Sequence, residues 1–296
     1  MKKRESRGLF ILAAAILLSF ILPGLITLRG RSANHSPVPF TPGLGFALAA
    51  VKPDPPGSAG PTPAKKDFYT RAFSWTGADK KPKQAAFLLA KSQVKSELSQ
   101  FGVARGMEHA LLLEKKGFTK IGMQRGLEVF MVNYQEIFLR SLGLFNDLTE
   151  TLHGAVEQPP PNNILLEFLV FVQAIKYQLP PFYYNNKFIN SFFPPLICLY
   201  EQYGDCDSKS VLLAVFLTCQ DKNEKTALLL INHLGLKHSI LLVKGVPGPG
   251  MSSVFITGKG YYVPLEASSP GWAPGFVSQR VWSAISTGNF RFLELP

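Results

Sequence analysis

The stretch GDCDSKSVLLAVFL, residues 204–217, decides the fold of the second half of the chain. Asp205 is a good N-cap residue for a helix that begins after it. One face of that helix is apolar: Val211, Leu212, Val215, Phe216 and Cys219. Strand patterns then follow over residues 226–231, 238–244, 253–257 and 261–266, with a turn at 258–260 between the last two. A helix followed by a run of antiparallel strands predicts an α+β fold in which the helix packs on the sheet.

Prolines divide the rest of the chain. The run QPPP at 158–161 marks a boundary between an N-terminal region, residues 67–158, and a C-terminal domain, residues 159–296. Apolar residues between 118 and 155 recur mostly at three- and four-residue steps, which predicts a helix, and residues 162–177 predict a second amphipathic helix. The pattern at 67–103 does not distinguish strand from helix. The N-terminal region is therefore predicted to be partly helical.

The first 31 residues have the pattern of a membrane anchor. Four basic residues stand before an apolar run over residues 9–28, and Arg29 and Arg31 end it. About 20 apolar residues suffice to cross the bilayer as a helix. An uncleaved signal anchor is the favoured interpretation, and a cleaved signal peptide is the alternative. The positive-inside rule then places the N-terminus in the cytoplasm and the remaining chain outside, on a proline-rich tether at residues 32–66.

The distribution of charge argues against nucleic-acid binding. The formal net charge is +11, but residues 1–159 hold 21 Lys/Arg against 12 Asp/Glu, or +9, whereas residues 160–296 hold 10 against 8, or +2. No basic stripe interleaved with aromatic residues occurs, and no zinc pattern. The three cysteines have no CxxC or metal spacing, so we predict neither a metal site, nor another cofactor, nor a disulfide scaffold. The basic excess fits a positive membrane flank near anionic lipid or cell-wall polymer.

Cys206 has the setting of a nucleophile. It falls in the first turn of the predicted helix, where free N–H groups and the helix dipole favour an anion and are expected to lower a thiol pKa. A thiolate also needs a base and a group that orients the base. His238 opens one predicted strand and Glu266 closes another, so both side chains can reach the same sheet edge.

Other residues receive structural interpretations. Cys198 and Cys219 are predicted to be core residues, and His233 is the less favoured base because it lies in a polar turn. Asp205 and Asp207 are predicted to cap the helix and face solvent, and Lys209 to lie on the helix surface. The backbone N–H of Cys206 is the expected oxyanion donor. Its side-chain partner, Gln202 or Tyr203, stays open.

Residues 171–266 resemble the bacterial transglutaminase-like cysteine proteinases of the transglutaminase-like superfamily. The matching pieces are FVQAIKY at 171–177, GDCDSKSVLLAVFL at 204–217, TALLLI at 226–231, HSILLV at 238–243 and GKGYYVPLEAS at 258–268. The resemblance implies that Cys206 is the nucleophile, His238 the base and Glu266 the acid. Two departures stand out. Most of the superfamily has Asp for the acid, and Ser239 and Ile240 replace the Ala and Trp that often follow the histidine.

Two functions from different classes fit these features. The first is a cysteine-dependent acyl-transfer enzyme that forms a thioester from an amide, as a peptidase, an amidase or a protein cross-linker. Its substrates would be proteins or peptides of the cell envelope, with peptidoglycan peptides among the candidates. The second is a non-catalytic envelope module that keeps the fold and holds a peptide.

Overall fold

The computed structural model describes residues 67–124, 127–156, 164–248 and 250–296, and these residues have an α+β fold. They form seven helices: α1 Lys91–Gln100, α2 Ala110–Glu114, α3 Tyr134–Ala155, α4 Ile164–Ala174, α5 Pro195–Glu201, α6 Cys206–Gln220 and α7 Gln279–Ser286. They also form fourteen strands: β1 Phe68–Thr76, β2 Pro82–Ala90, β3 Val103–Ala104, β4 Phe118–Gln124, β5 Leu127–Val132, β6 Lys176–Tyr177, β7 Tyr183–Tyr184, β8 Lys187–Phe188, β9 Tyr203–Gly204, β10 Thr226–His233, β11 Leu236–Lys244, β12 Val254–Ile256, β13 Gly260–Leu265 and β14 Phe290–Glu294.

The largest sheet is five-stranded and antiparallel, in the order β12-β13-β11-β10-β14. Strands β10 and β11 form its central hairpin, whose two-residue turn has Leu234 at φ 46° and Gly235 at φ 75°. Both values suit the type I′ turn that a tight hairpin requires. Apolar residues of β10 alternate between two cores: Leu228 belongs to the core around α6, and Leu229 to the core around α7. The sheet therefore lies between the two helices.

The predicted elements of the C-terminal domain are confirmed. Each of the four strand patterns corresponds to one of β10 to β13, with ends shifted by at most two residues, and the helix begins at Cys206. The helix predicted at 162–177 is shorter, because α4 ends at Ala174 and the next residues enter β6. The chain turns there to pair β6 with β9.

The predicted helix over 118–155 is wrong up to Asn133. Strands β4, Phe118–Gln124, and β5, Leu127–Val132, pair there, and the helix α3 begins only at Tyr134. A bulge between Lys120 and Gly122 interrupts the two-residue alternation of β4, which hides the strand signal. The true helix start was readable at Asn133, whose side chain accepts a hydrogen bond from the Glu136 N–H at 3.3 Å.

The main core joins residues from both sides of the prolines at 159–161. Phe87 of β2 is completely buried, and its ring centroid lies 5.6 Å from that of Phe171 and 6.4 Å from that of Phe216. Strand β1 contributes Trp75, which packs edge-on against Phe171. Helices α3, α4, α5 and α6 bury their apolar faces in the same cluster. The division of the chain at residue 158 stays a prediction.

No helix among the described residues has the length and apolarity to cross a membrane. The anchor predicted at residues 1–31 and the tether at 32–66 lie outside the described residues.

We expect Phe87→Ala to lower the free energy of unfolding by about 3–5 kcal/mol, because it opens a cavity between α4 and α6. Leu88→Ala is the matched control, since Leu88 lies next in the same strand but is 58% exposed. Urea denaturation measures both variants. Equal losses for the two would show that β2 does not share the core of α6.

Candidate active site

The start of helix α6 is fixed by a capping network. Asp205 Oδ1 accepts hydrogen bonds from the Ser208 N–H at 3.0 Å and the Ser208 hydroxyl at 2.7 Å, so the predicted N-cap is confirmed. Gly204 precedes it in a tight space, where an added Cβ would stand 2.8 Å from the Cys198 Sγ. Packing therefore requires Gly204 and capping favours Asp205, and the two place Cys206 in the first turn.

Cys206 lies beside strand β11. The backbone N–H of Ser239 lies near the Cys206 sulfur and acts to lower the pKa of the thiol, and the Ser210 hydroxyl donates to the Ser239 carbonyl at 3.4 Å. Strand β13 pairs with β11 only from Leu241 onward. The thiol therefore lies beside the part of β11 that has no partner in β13. The helix start thus meets the sheet edge one residue from His238.

His238 and Glu266 are brought together. The His238 Nε2 lies 2.7 Å from the Glu266 Oε2, and the Ser268 N–H donates to Oε1 at 2.9 Å. Burial alone raises the pKa of Glu266, but the hydrogen bonds from His238 and Ser268 outweigh it and hold the pKa below its ordinary value. With Nε2 donating to the carboxylate, Nδ1 is left to act as a base.

This geometry is consistent with His238, and not His233, as the base. His233 ends β10 opposite Leu236, at the hairpin turn, and it is His238 that contacts Glu266. The contact between the Cys206 thiol and the His238 imidazole stays a prediction.

The predicted lowering of the Cys206 pKa is wrong for this state of the protein. Burial raises the pKa of the thiol well above its ordinary value, and the carboxylates of Asp207 and Asp205 raise it further. The Ser239 N–H lowers it by less. The helix dipole favours an anion, but this helix start is buried and has two acids beside it. The resting thiol is therefore protonated.

Asp207 joins the thiol to the N-terminal region. It was predicted to face solvent, but it is half-buried and its Oδ1 lies 3.5 Å from the Cys206 sulfur. Its Oδ2 accepts a hydrogen bond from the hydroxyl of Tyr134, which begins α3. Asp205 was also predicted to face solvent, but it is buried, and burial and the charge of Asp207 raise its pKa to about 7. Sequence reasoning missed Tyr134, because nothing local links residue 134 to residue 207.

Lys209 is completely buried, so the prediction that it lies on the surface is wrong. Its Nζ donates to the carbonyls of Gln173 at 3.2 Å, Ile175 at 2.8 Å and Ser268 at 3.0 Å. Burial lowers its pKa to about 8. The ammonium group ties α6 to the end of α4 and to the segment after β13.

Gln173 completes this support from α4. Its amide nitrogen donates to the carbonyls of Glu266 and Trp272, both at 2.8 Å. The backbone of Glu266 is thereby held from behind while the side chain reaches His238. Gln173 stands in a sequence piece that signalled the site, but its partners lie more than 90 residues away.

The two residues considered as oxyanion partners are engaged elsewhere. The Gln202 amide donates to the Ala72 carbonyl at 2.8 Å, and the Tyr203 ring packs edge-on against Phe193. Cys198 is fully buried, as predicted, whereas Cys219 is partly buried with its sulfur 3.6 Å from the Leu142 carbonyl. The described residues contain no group of three His, Cys, Asp or Glu side chains arranged as metal ligands.

We expect Asp207→Asn to speed alkylation of Cys206 by iodoacetamide at pH 7, because loss of the carboxylate charge lowers the thiol pKa. The gain is roughly tenfold for each unit by which the pKa falls. Asp221→Asn, at the opposite end of α6, is the control and should change nothing. A slower reaction in Asp207→Asn would contradict the electrostatic role given to this carboxylate.

The buried ammonium group of Lys209 predicts a pH dependence of stability. Its pKa is lowered to about 8 in the folded chain, so between pH 8 and the ordinary lysine range the unfolded chain binds more protons. This group therefore makes the free energy of unfolding rise with pH in that window. Lys209→Met should lack the rise, and Lys222→Met, an exposed residue beyond α6, should keep it. Denaturation at several pH values from 7 to 10 measures the difference.

No protein-family model, curated protein or solved structure matches this chain.

Proposed function

We propose that this protein is a cysteine-dependent acyl-transfer enzyme that acts on amide bonds through a thioester, with Cys206, His238 and Glu266 as its triad. The observation that carries the proposal is the hydrogen bond between His238 and Glu266. The next residue of the same strand, Ser239, lies near the Cys206 thiol. The proposal also rests on the resemblance of residues 171–266 to the transglutaminase-like cysteine proteinases.

The proposed reaction begins from a neutral thiol. His238 Nδ1 removes the proton from Cys206 as the sulfur attacks the carbonyl carbon of the amide, and the π electrons move to the oxygen. The C–N bond then breaks, His238 gives the proton to the leaving amine, and a thioester remains on Cys206. Water completes a hydrolysis and a second amine completes a cross-link. Glu266 holds the imidazole in the required tautomer and stabilises its cation.

A protein or peptide substrate is supported by the edge of β11. Ser239 directs its N–H away from β10, and the alternation of an antiparallel pair gives Lys237 the same direction. Beside Lys237 no strand of the described residues pairs on that side, since the ladder with β13 starts at Leu241. An extended peptide can add its backbone there, next to the thiol. We place the substrates in the cell envelope, following the predicted anchor and extracytoplasmic location.

The non-catalytic peptide-binding module remains the second candidate, because one observation favours it. The raised pKa of the Cys206 thiol is what a buried structural cysteine has. Two features weigh against it: Glu266 is charged and bonded to His238, and hydrogen bonds from Gln173 and Lys209 hold the backbone carbonyls of Glu266 and Ser268. A peptide-binding groove has no need of such an orienting pair.

Alkylation of Cys206 tests the proposal without a known substrate. We expect iodoacetamide to modify Cys206 at pH 6 faster than Cys198 or Cys219, because His238 can accept the thiol proton. His238→Ala should slow this reaction at least tenfold. General-base assistance typically contributes about 100-fold or more, so a tenfold loss is a conservative threshold. Peptide mapping by mass spectrometry measures each cysteine separately.

His233→Ala is the matched control and should react as the wild type does. Glu266→Gln should be slowed less than His238→Ala, since it disturbs only the tautomer and charge of the imidazole. Equal rates for the wild type and His238→Ala would favour the binding module instead.

A further inference from the structure

The oxyanion of the proposed reaction requires hydrogen-bond donors. When the Cys206 sulfur attacks a carbonyl, negative charge develops on the carbonyl oxygen, and two aimed donors commonly stabilise it. The backbone N–H of Cys206 suits one of them, because the first N–H groups of a helix have no partner within the helix. The Ser239 N–H faces the sulfur itself, where it acts to lower the pKa of the thiol. A side-chain donor is therefore the missing part of the site.

Tyr177 is held beside Cys206 by the backbone. Strand β6 pairs in parallel with β9, with Tyr177 opposite Gly204, and the Gln178 N–H donates to the Gly204 carbonyl at 3.1 Å. The Tyr177 hydroxyl therefore lies close to the Cys206 thiol, and the thiol is among the groups that raise the pKa of the hydroxyl. The segment after α4 is thereby linked to the reacting sulfur. Gly204, the pairing partner of Tyr177, lies only two residues before Cys206.

The ring of Tyr177 leaves room for a substrate. It is 53% exposed, whereas Cys206 is only 7% exposed, so the tyrosine is open to solvent beside a buried thiol. Burial of the hydroxyl, with the nearby Cys206, Asp205 and Asp207, raises its pKa to about 12. The phenol therefore keeps its proton at every pH at which the triad can work. It can turn from the sulfur to the oxygen of a carbonyl group whose carbon is bound to that sulfur.

We propose that Tyr177 is a catalytic residue, whose hydroxyl donates a hydrogen bond to the oxyanion formed when Cys206 is acylated. The role rests on the proposed acyl transfer. The sulfur–carbon bond forms, the carbonyl π electrons become the oxyanion lone pair, and the Tyr177 O–H and Cys206 N–H donate to it without losing their protons. When the leaving group departs, the carbonyl re-forms and the hydroxyl returns to the sulfur.

Two reactions of the same thiol separate this role from mere positioning. Alkylation by iodoacetamide displaces iodide at a saturated carbon and forms no oxyanion. Acetylation by p-nitrophenyl acetate passes through an oxyanion. We expect Tyr177→Phe to acetylate Cys206 about 100-fold more slowly, the usual effect of losing one donor, while alkylation changes by less than about threefold. Tyr183→Phe, an exposed tyrosine of the following segment, is the control and should match the wild type in both reactions.

Acetyl-Cys206 is measured by peptide mapping at low pH, with Cys206→Ala as the blank. Equal acetylation of the wild type and Tyr177→Phe would assign the donor elsewhere and overturn the proposal. Equal slowing of both reactions would make Tyr177 a positioning residue for the thiol and would also overturn it. If p-nitrophenyl acetate releases nitrophenol as fast from Cys206→Ala as from the wild type, the acyl-transfer function itself falls, which is a different result.

Discussion

Helix α6 is buried along almost its whole length, from Cys206 to Thr218, and the other elements pack around it. One side faces β10 and β11, and the remaining sides face α3, α4, α5 and the β1–β2 hairpin. Few helices are surrounded so completely, and the apolar run VLLAVFL at 211–217 explains it. Since the helix cannot rotate or slide without disturbing every layer, its first residue, Cys206, has a fixed position at the sheet edge.

Burial of this helix start sets the electrostatics of the site. Three ionisable groups of α6 and its cap are removed from water: Asp205, Cys206 and Lys209. On one side, Asp205 and Asp207 oppose the thiolate; on the other, the Lys209 ammonium binds three carbonyls and attracts Glu266. Burial and, to a smaller extent, the two acids keep the thiol protonated at rest, and the Lys209 charge attracts the carboxylate that contacts the imidazole. A substrate that displaces water or screens the acids would change this balance directly.

The N-terminal region contributes to the site and not only to the core. Tyr134 at the start of α3 donates to Asp207, and the β1–β2 hairpin accepts the Gln202 amide at Ala72. Phe87 fills the space between α4 and α6. Through these contacts α3 and the β1–β2 hairpin form one wall of the core that holds the candidate site. A change in the packing of α3 would reach the thiol through two hydrogen bonds, from Tyr134 to Asp207 and from Cys206 to Asp207.

The sequence by itself determined the α6 start and the strands β10 to β13, because a cap and a two-residue period are local features. The contact between His238 and Glu266 was expected from the two strand ends and from the family resemblance, but it joins residues 28 apart and the tertiary structure decided it. Strand β14 of the same sheet was not predicted. The bulge after Lys120 interrupts the two-residue alternation of β4, so the sequence pattern did not reveal this strand. The protonated state of the thiol, the buried ammonium of Lys209 and the contact of Tyr177 were decided only by the tertiary structure. Each depends on which distant groups exclude water or supply a charge around a side chain, and these neighbours come together only when the helix is enclosed.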